Sequence, residues 1–103
     1  MAAELNQDIL KTINAYLNVL REHHLSFESV WLFGSFAENR AFEDSDIDIA
    51  MVMTGVENKF YKELELTKYR RGVDSRIEPH IINADDIDSP LYKEVTKRGI
   101  RIA

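Results

Sequence analysis

Three acidic residues give the first hint of chemistry. Asp46 and Asp48 stand at the head of the apolar run Ile47–Met53, and Glu78 stands inside a second apolar run, "SRIEPHII". On an extended strand Asp46 and Asp48 share one side, about 7 Å apart along it. Like charges that close repel unless a cation or a proton lies between them. Carboxylates are natural ligands of Mg2+, which keeps several waters and shares its remaining positions with substrate phosphates. Two such ions about 3.5–4 Å apart clamp the attacking and leaving oxygens of an in-line phosphoryl displacement. Glu78, on a strand beside the one that carries the aspartates, would complete a trio aimed at those metals. Asp-x-Asp alone is also what a solvated strand flank looks like, and Glu43 and Asp44 close by add to that reading.

The dipeptide Gly34-Ser35 closes the short apolar stretch Ser29–Phe33. A glycine at a strand end lets the backbone bend sharply and approach a ligand. Ser35 adds a hydroxyl, and the amides after it would suit a terminal phosphate if they opened a helix. Taken singly, Gly-Ser after a strand is a common turn. His80, two positions after Glu78, shares its face on a regular strand and could contact nucleotide or ligand groups. A half-exposed strand histidine is the simpler reading, and Pro79 between the two threatens the alternation. His23-His24 suit the C-terminal end of a helix. Tyr69-Arg70-Arg71 reads as a solvated helix end. Trp31, Phe33 and Phe36 read as core, with Phe36 the most exposed of the three near the turn.

The elements that must hold these residues can be read from periodicity and punctuation. Leu5, Ile9, Ile13, Leu17 and Leu20 recur at helical spacing and mark a helix over about residues 4–23. Ser29–Phe33 and Ile47–Met53 read as buried strands. A helical turn is expected over Ala37–Ala41 between them, followed by a polar loop at Glu43–Ser45. Asn58 suits a helix cap, and the helix it opens runs from Lys59 to about Arg71 with Phe60, Leu64 and Thr67 on one face, ending at Gly72. Arg76–Ile82 reads as a third strand, placed at an edge or carrying a bulge because of Pro79. Ser89 and Pro90 open a last helix that Gly99 closes, and Ile100–Ile102 form a short final strand. The order predicts an α/β fold, with helices flanking a central mixed β-sheet.

Bulk properties narrow the function. The chain has 103 residues, 45% hydrophobic and 30% charged, and reads as one domain over 1–103. A net charge of −5 argues against an extended grip on a nucleic-acid backbone, yet tolerates one nucleotide bound through metal. With no cysteine there are no disulfides and no thiolate metal sites. No leader or bilayer-spanning run is apparent, so the expectation is a soluble cytoplasmic protein without membrane attachment.

Gly34-Ser35-x-Ala37, then Ser45-Asp46-Ile47-Asp48, then an acid on a later strand, resembles the nucleotidyltransferase superfamily that includes DNA polymerase beta. The nearest pattern is its minimal nucleotidyltransferase branch, and the resemblance runs over nearly the whole chain. It implies the nucleotidyltransferase fold. It also implies transfer of a nucleoside monophosphate, AMP where ATP is the donor, from a nucleoside triphosphate to an acceptor hydroxyl. By position, Gly34 and Ser35 would hold the triphosphate, Asp46 and Asp48 would ligate two Mg2+ ions, and Glu78 would complete the metal that activates the acceptor. Two positions depart from the common pattern. Glu38-Asn39 replace a basic residue and a glycine, a change that Arg40, Lys59 or Lys62 could offset, and the third acid is Glu where Asp is commoner. So small a catalytic head needs its acceptor presented by another copy or by a partner. In the minimal branch that partner is a small helical protein of the HEPN type, the pair acting as toxin and antitoxin. Two other readings share the fold: a non-catalytic module that neutralises such a partner by contact, and a nucleotide sensor.

Overall fold

The computed structural model describes residues 6–86 and 88–103, so Leu5 and the expected helix start at residue 4 lie outside it. Helix α1 (Gln7–Glu22) is capped by Asn6, whose side chain accepts from the Asp8 and Ile9 amides. Its stripe Ile9, Ile13, Leu17 and Leu20 is buried, and Tyr16 joins it. The Tyr16 hydroxyl donates to the Leu66 carbonyl, tying α1 to a later helix, and burial pushes the phenol well above its usual range.

Among the described residues four strands follow: β1 (Ser29–Phe33), β2 (Ile47–Met53), β3 (Ile77–Asn83) and β4 (Ile100–Arg101). Their order across the sheet is β3-β2-β1-β4. β1 runs antiparallel to both its neighbours, whereas β2 and β3 are parallel, so the sheet is mixed as expected. Helices α2 (Lys59–Lys68) and α3 (Pro90–Arg98) complete the fold, capped by Asn58 and Ser89. Strand alternation divides the core in two. Val30, Leu32, Ile47, Ile49, Met51, Ile77 and Ile81 pack with α1 and with Leu66 of α2. Ala50, Val52 and Ile82 pack on the opposite face against Val95 of α3, with Trp31, Phe33, Leu91 and Tyr92 around them.

Three expectations about the elements change. No helix forms over Ala37–Ala41; residues 35–39 are successive turns, in which the Ala37 and Glu38 amides both donate to the Gly34 carbonyl and that of Arg40 to Ser35. Asn39, at φ 59°, stops the winding there. Helix α2 ends at Lys68 rather than near Arg71, because the Arg70 and Arg71 amides bond three residues back and tighten the chain before Gly72 turns it at φ 80°. The face bearing Phe60 and Leu64 is exposed, and the buried residue of α2 is Leu66.

Pro79 sits on an edge strand as expected, without a bulge: β3 stays in register with β2 from Ile77 to Asn83. The free side of β3 is covered by α2. Glu63 accepts from the Ile81 amide at 2.9 Å, Arg70 donates to the Ile77 carbonyl at 2.8 Å, and Pro79 between them has no N–H to leave open. Among the described residues no helix is long and apolar enough to cross a membrane.

Candidate metal centre

Because Ile47 and Ile49 point into the α1 side, Asp48 between them must point to the α3 side. Helix α3 covers that face only over Ala50, Val52 and Ile82. Asp48, Glu78 and His80 lie on the part it leaves open. Asp48 is paired in register with Phe33 on β1 and with Glu78 on β3, so the open half of the sheet centres on it.

Asp48, Glu78 and His80 each offer one ligand atom, and the three atoms lie within 4.8 Å of one another. His80 Nε2 is 3.3 Å from Asp48 Oδ1, and the edge-to-face contact with Phe33 (ring centroids 5.2 Å apart) orients the imidazole. Gly34 closes the fourth side. It has φ 77°, and a Cβ there would stand 2.6 Å from Asp48 Oδ2, so only glycine leaves that carboxylate its place. This donor set fits a divalent cation: two carboxylates, one imidazole, and a contact kept open by a missing side chain.

Asp46 is exposed one residue ahead of β2 and is outside the three-residue cluster. Ser35, half-buried, opens the turns after Gly34, where its carbonyl accepts from the Arg40 amide. Of the cations considered near the turn, Arg40 pairs with Glu38 at 3.0 Å and Lys62 with Glu65 at 2.9 Å, while Lys59 is exposed. Sequence reasoning favoured a bystander role for His80. The signal that could have promoted it was its i, i+2 relation to Glu78, discounted because of Pro79.

The cluster opens sideways into a groove of about 350 Å3 between α2 and β3, lined by Phe60, Leu64, Thr67, Arg70, Glu78 and His80. A larger hollow, about 940 Å3, runs along α2 past Tyr61, Lys68 and Val73, and shares none of the three cluster residues.

Arg76 anchors the loop that carries Asp46. Its guanidinium grips the Asp74 carboxylate through Nε and Nη2, donates to the Glu43 carbonyl, and lies over the Phe36 ring. The hydrogen bond from Arg76 holds the Asp74 carboxyl below its usual value. A depressed folded-state value adds stability that is present above the unfolded value, about pH 4, and lost as pH falls through the folded one. Asp74→Asn should therefore melt below wild type at pH 7, and the gap should narrow as pH falls below the usual carboxylate range in thermal unfolding. A gap that persisted at low pH would show that the ion pair is not its source.

The sequence pattern described as polymerase beta, nucleotidyltransferase, matches residues 11–103. No curated protein matches the sequence. Among solved structures, a candidate nucleotidyltransferase from Sulfolobus solfataricus aligns with TM-score 0.68 and 22% identity over 91% of this chain and 78% of that one. A toxin–antitoxin structure with AMP-PNP aligns at 0.66 and 22%, over 91% and 72%. The tri-AMPylated Shewanella oneidensis HEPN toxin in complex with MNT antitoxin contains a chain that aligns at 0.63 and 22%, over 92% and 71%. At that identity the likeness is one of fold.

Proposed function

The chain belongs to the polymerase beta nucleotidyltransferase family, and from that premise we propose that residues 1–103 act as a single metal-dependent nucleotidyltransferase domain. It transfers a nucleoside monophosphate, AMP from ATP, to a hydroxyl on a small helical partner of the HEPN type. The observation that carries the reading is the cluster of Asp48, Glu78 and His80 within 4.8 Å, beside Gly34, on the uncovered half of the sheet. Support for the partner comes from the fold likeness to chains of toxin–antitoxin complexes, one with AMP-PNP and one with an AMPylated toxin.

Each residue has a role in this reading. Gly34 and Ser35 let the triphosphate approach the backbone. Asp48 and Glu78 would hold a divalent cation, and Asp46, exposed one residue ahead of β2, would help to hold a second. Mg2+ bound there would neutralise phosphate charge and lower the pKa of the acceptor hydroxyl. Glu78, which lines the open groove, would in this reading help to accept that hydroxyl's proton. The exposed residues Phe60 and Leu64 along the groove offer an apolar wall for the incoming acceptor segment.

A second reading has one observation in its favour. Arg40, the cation nearest in sequence to the Gly-Ser turn, is engaged by Glu38, which leaves the turn without that free positive charge. In that reading the domain neutralises its partner by contact alone. Labelled ATP, Mg2+ and the helical partner, incubated with the protein with and without chelator present from the start, separate the two. Covalent label on the partner that forms only without chelator supports transfer. Partner neutralisation with no label on any acceptor overturns it in favour of contact.

A further inference from the structure

Oxygen-only ligation does not describe this site, because His80 is part of it. Mg2+ takes oxygen ligands and holds its waters, whereas imidazole suits the later first-row divalent ions. The chain has 3 histidines. His23 is the C-cap of α1 and stacks on Tyr69, and His24 follows it in a left-handed turn. His80 alone faces two carboxylates. Its position is fixed from three directions: the continuous β2–β3 register, the Phe33 ring against its edge, and the Asp48 oxygen at 3.3 Å from Nε2. Donor atoms within 4.8 Å of one another need only a small closure to share one ion, since metal–ligand bonds of about 2.0–2.2 Å place ligands about 3–4 Å apart.

We propose that His80 is a nitrogen ligand of the cation held by Asp48 and Glu78, and that this site therefore prefers a first-row transition ion over Mg2+. The inference rests on the metal-dependent reading of the same cluster and adds the identity of one donor and the class of ion. Nothing in it requires transfer to occur, so it can fail or stand separately from that activity.

Co2+ is a suitable probe because it binds imidazole and shifts nearby proton signals strongly. The test uses the full chain carrying His23→Gln and His24→Asn, so that His80 is the sole imidazole; asparagine tolerates the positive φ at position 24. Co2+ should bind at least about tenfold tighter than Mg2+ by calorimetry, and the His80 ring signals should move in NMR. His80→Ala should lose at least about tenfold in Co2+ affinity while leaving Mg2+ within about twofold. Asp48→Asn should weaken both. Unmoved ring signals on Co2+ binding, or equal losses for the two ions in His80→Ala, overturn the proposal. A ligated ring takes a through-bond contact shift far larger than the through-space shift of a ring merely nearby, so its size decides even if His80→Ala fails to fold. Mg2+-dependent label transfer that persists beside unmoved ring signals leaves the enzyme reading standing. Shifted ring signals with no transfer would leave the ligand assignment standing and remove the enzyme.

Discussion

Asp48→Asn should lower label transfer by at least about 10³-fold while leaving the melting temperature essentially unchanged. Losing a metal clamp on the transferred phosphoryl group removes several kcal/mol of transition-state stabilisation, and each ~1.4 kcal/mol is a factor of ten. The fold should not notice. The Asp48 side chain is 24% exposed, asparagine has its shape, and the change removes the repulsion between two carboxylates paired across β2 and β3. A partly exposed Asp–His contact of this kind is worth about 0–1 kcal/mol. Gly34→Ala should approach the same loss by a different route, without altering any ligand. Its Cβ would meet Asp48 Oδ2 at 2.6 Å, and the flexible end of that side chain gives way more easily than backbone does, so the carboxylate swings out of the cluster. A displacement of this size costs about 10²-fold in rate. Alanine at φ 77° adds a stability cost of about 1–2 kcal/mol, which Asp48→Asn does not carry. Transfer assays and thermal melts on the two variants check the pair of effects. Near-wild-type transfer in Asp48→Asn would remove this cluster from the chemistry altogether.

How much of this was legible in the sequence follows from which interactions are local. The apolar run at Ile47–Met53 and the caps Asn58, Ser89 and Gly99 depend on neighbours a few residues away, and that strand and those caps stand where they were expected. The helical turn expected over Ala37–Ala41 lies earlier, over residues 35–39, because five residues of ordinary helix propensity do not reveal that Asn39 goes left-handed. The exposed face of α2 was hidden for a similar reason. Phe60 and Leu64 look like a core stripe, but Leu66 is the residue that reaches the α1 side. The cluster was half legible. Glu78 could be placed with Asp48 by assuming adjacent strands, and the parallel register pairs the two directly. The Gly34–Asp48 contact depends on β1 running antiparallel to β2, and His80 on Pro79 costing β3 nothing at an edge; both are tertiary facts. Residue types alone do not contain them.

Gly99→Ala is expected to cost about 1–3 kcal/mol of stability, or a melting point lower by roughly 5–20 °C. Gly99 has φ −83° and ψ 171°, which any residue can adopt, so the cost is one of space and not of conformation. A Cβ there would overlap the Val95 carbonyl oxygen and stand 2.9 Å from that of Leu32. Both obstacles are backbone, one in the last turn of α3 and one in β1, and neither can rotate away. Relief requires α3 to lift or β4 to leave β1, where Ile100 pairs with Leu32. Leaving would release the bonds that the Ile102 amide and the Ala103 carbonyl make to Val30, so hydrogen exchange at Ile102 should rise with the fall in stability. Melting within about 2 °C of wild type would show that the α3–β1 spacing is not set by this glycine. The Asp48, Glu78 and His80 cluster lies on β2 and β3, over the part of that face that α3 leaves open. Gly99→Ala should therefore keep cation binding in the cold while losing heat stability. Asp48→Asn should do the reverse, because Gly99 packs against the Val95 and Leu32 carbonyls and against none of the three cluster residues.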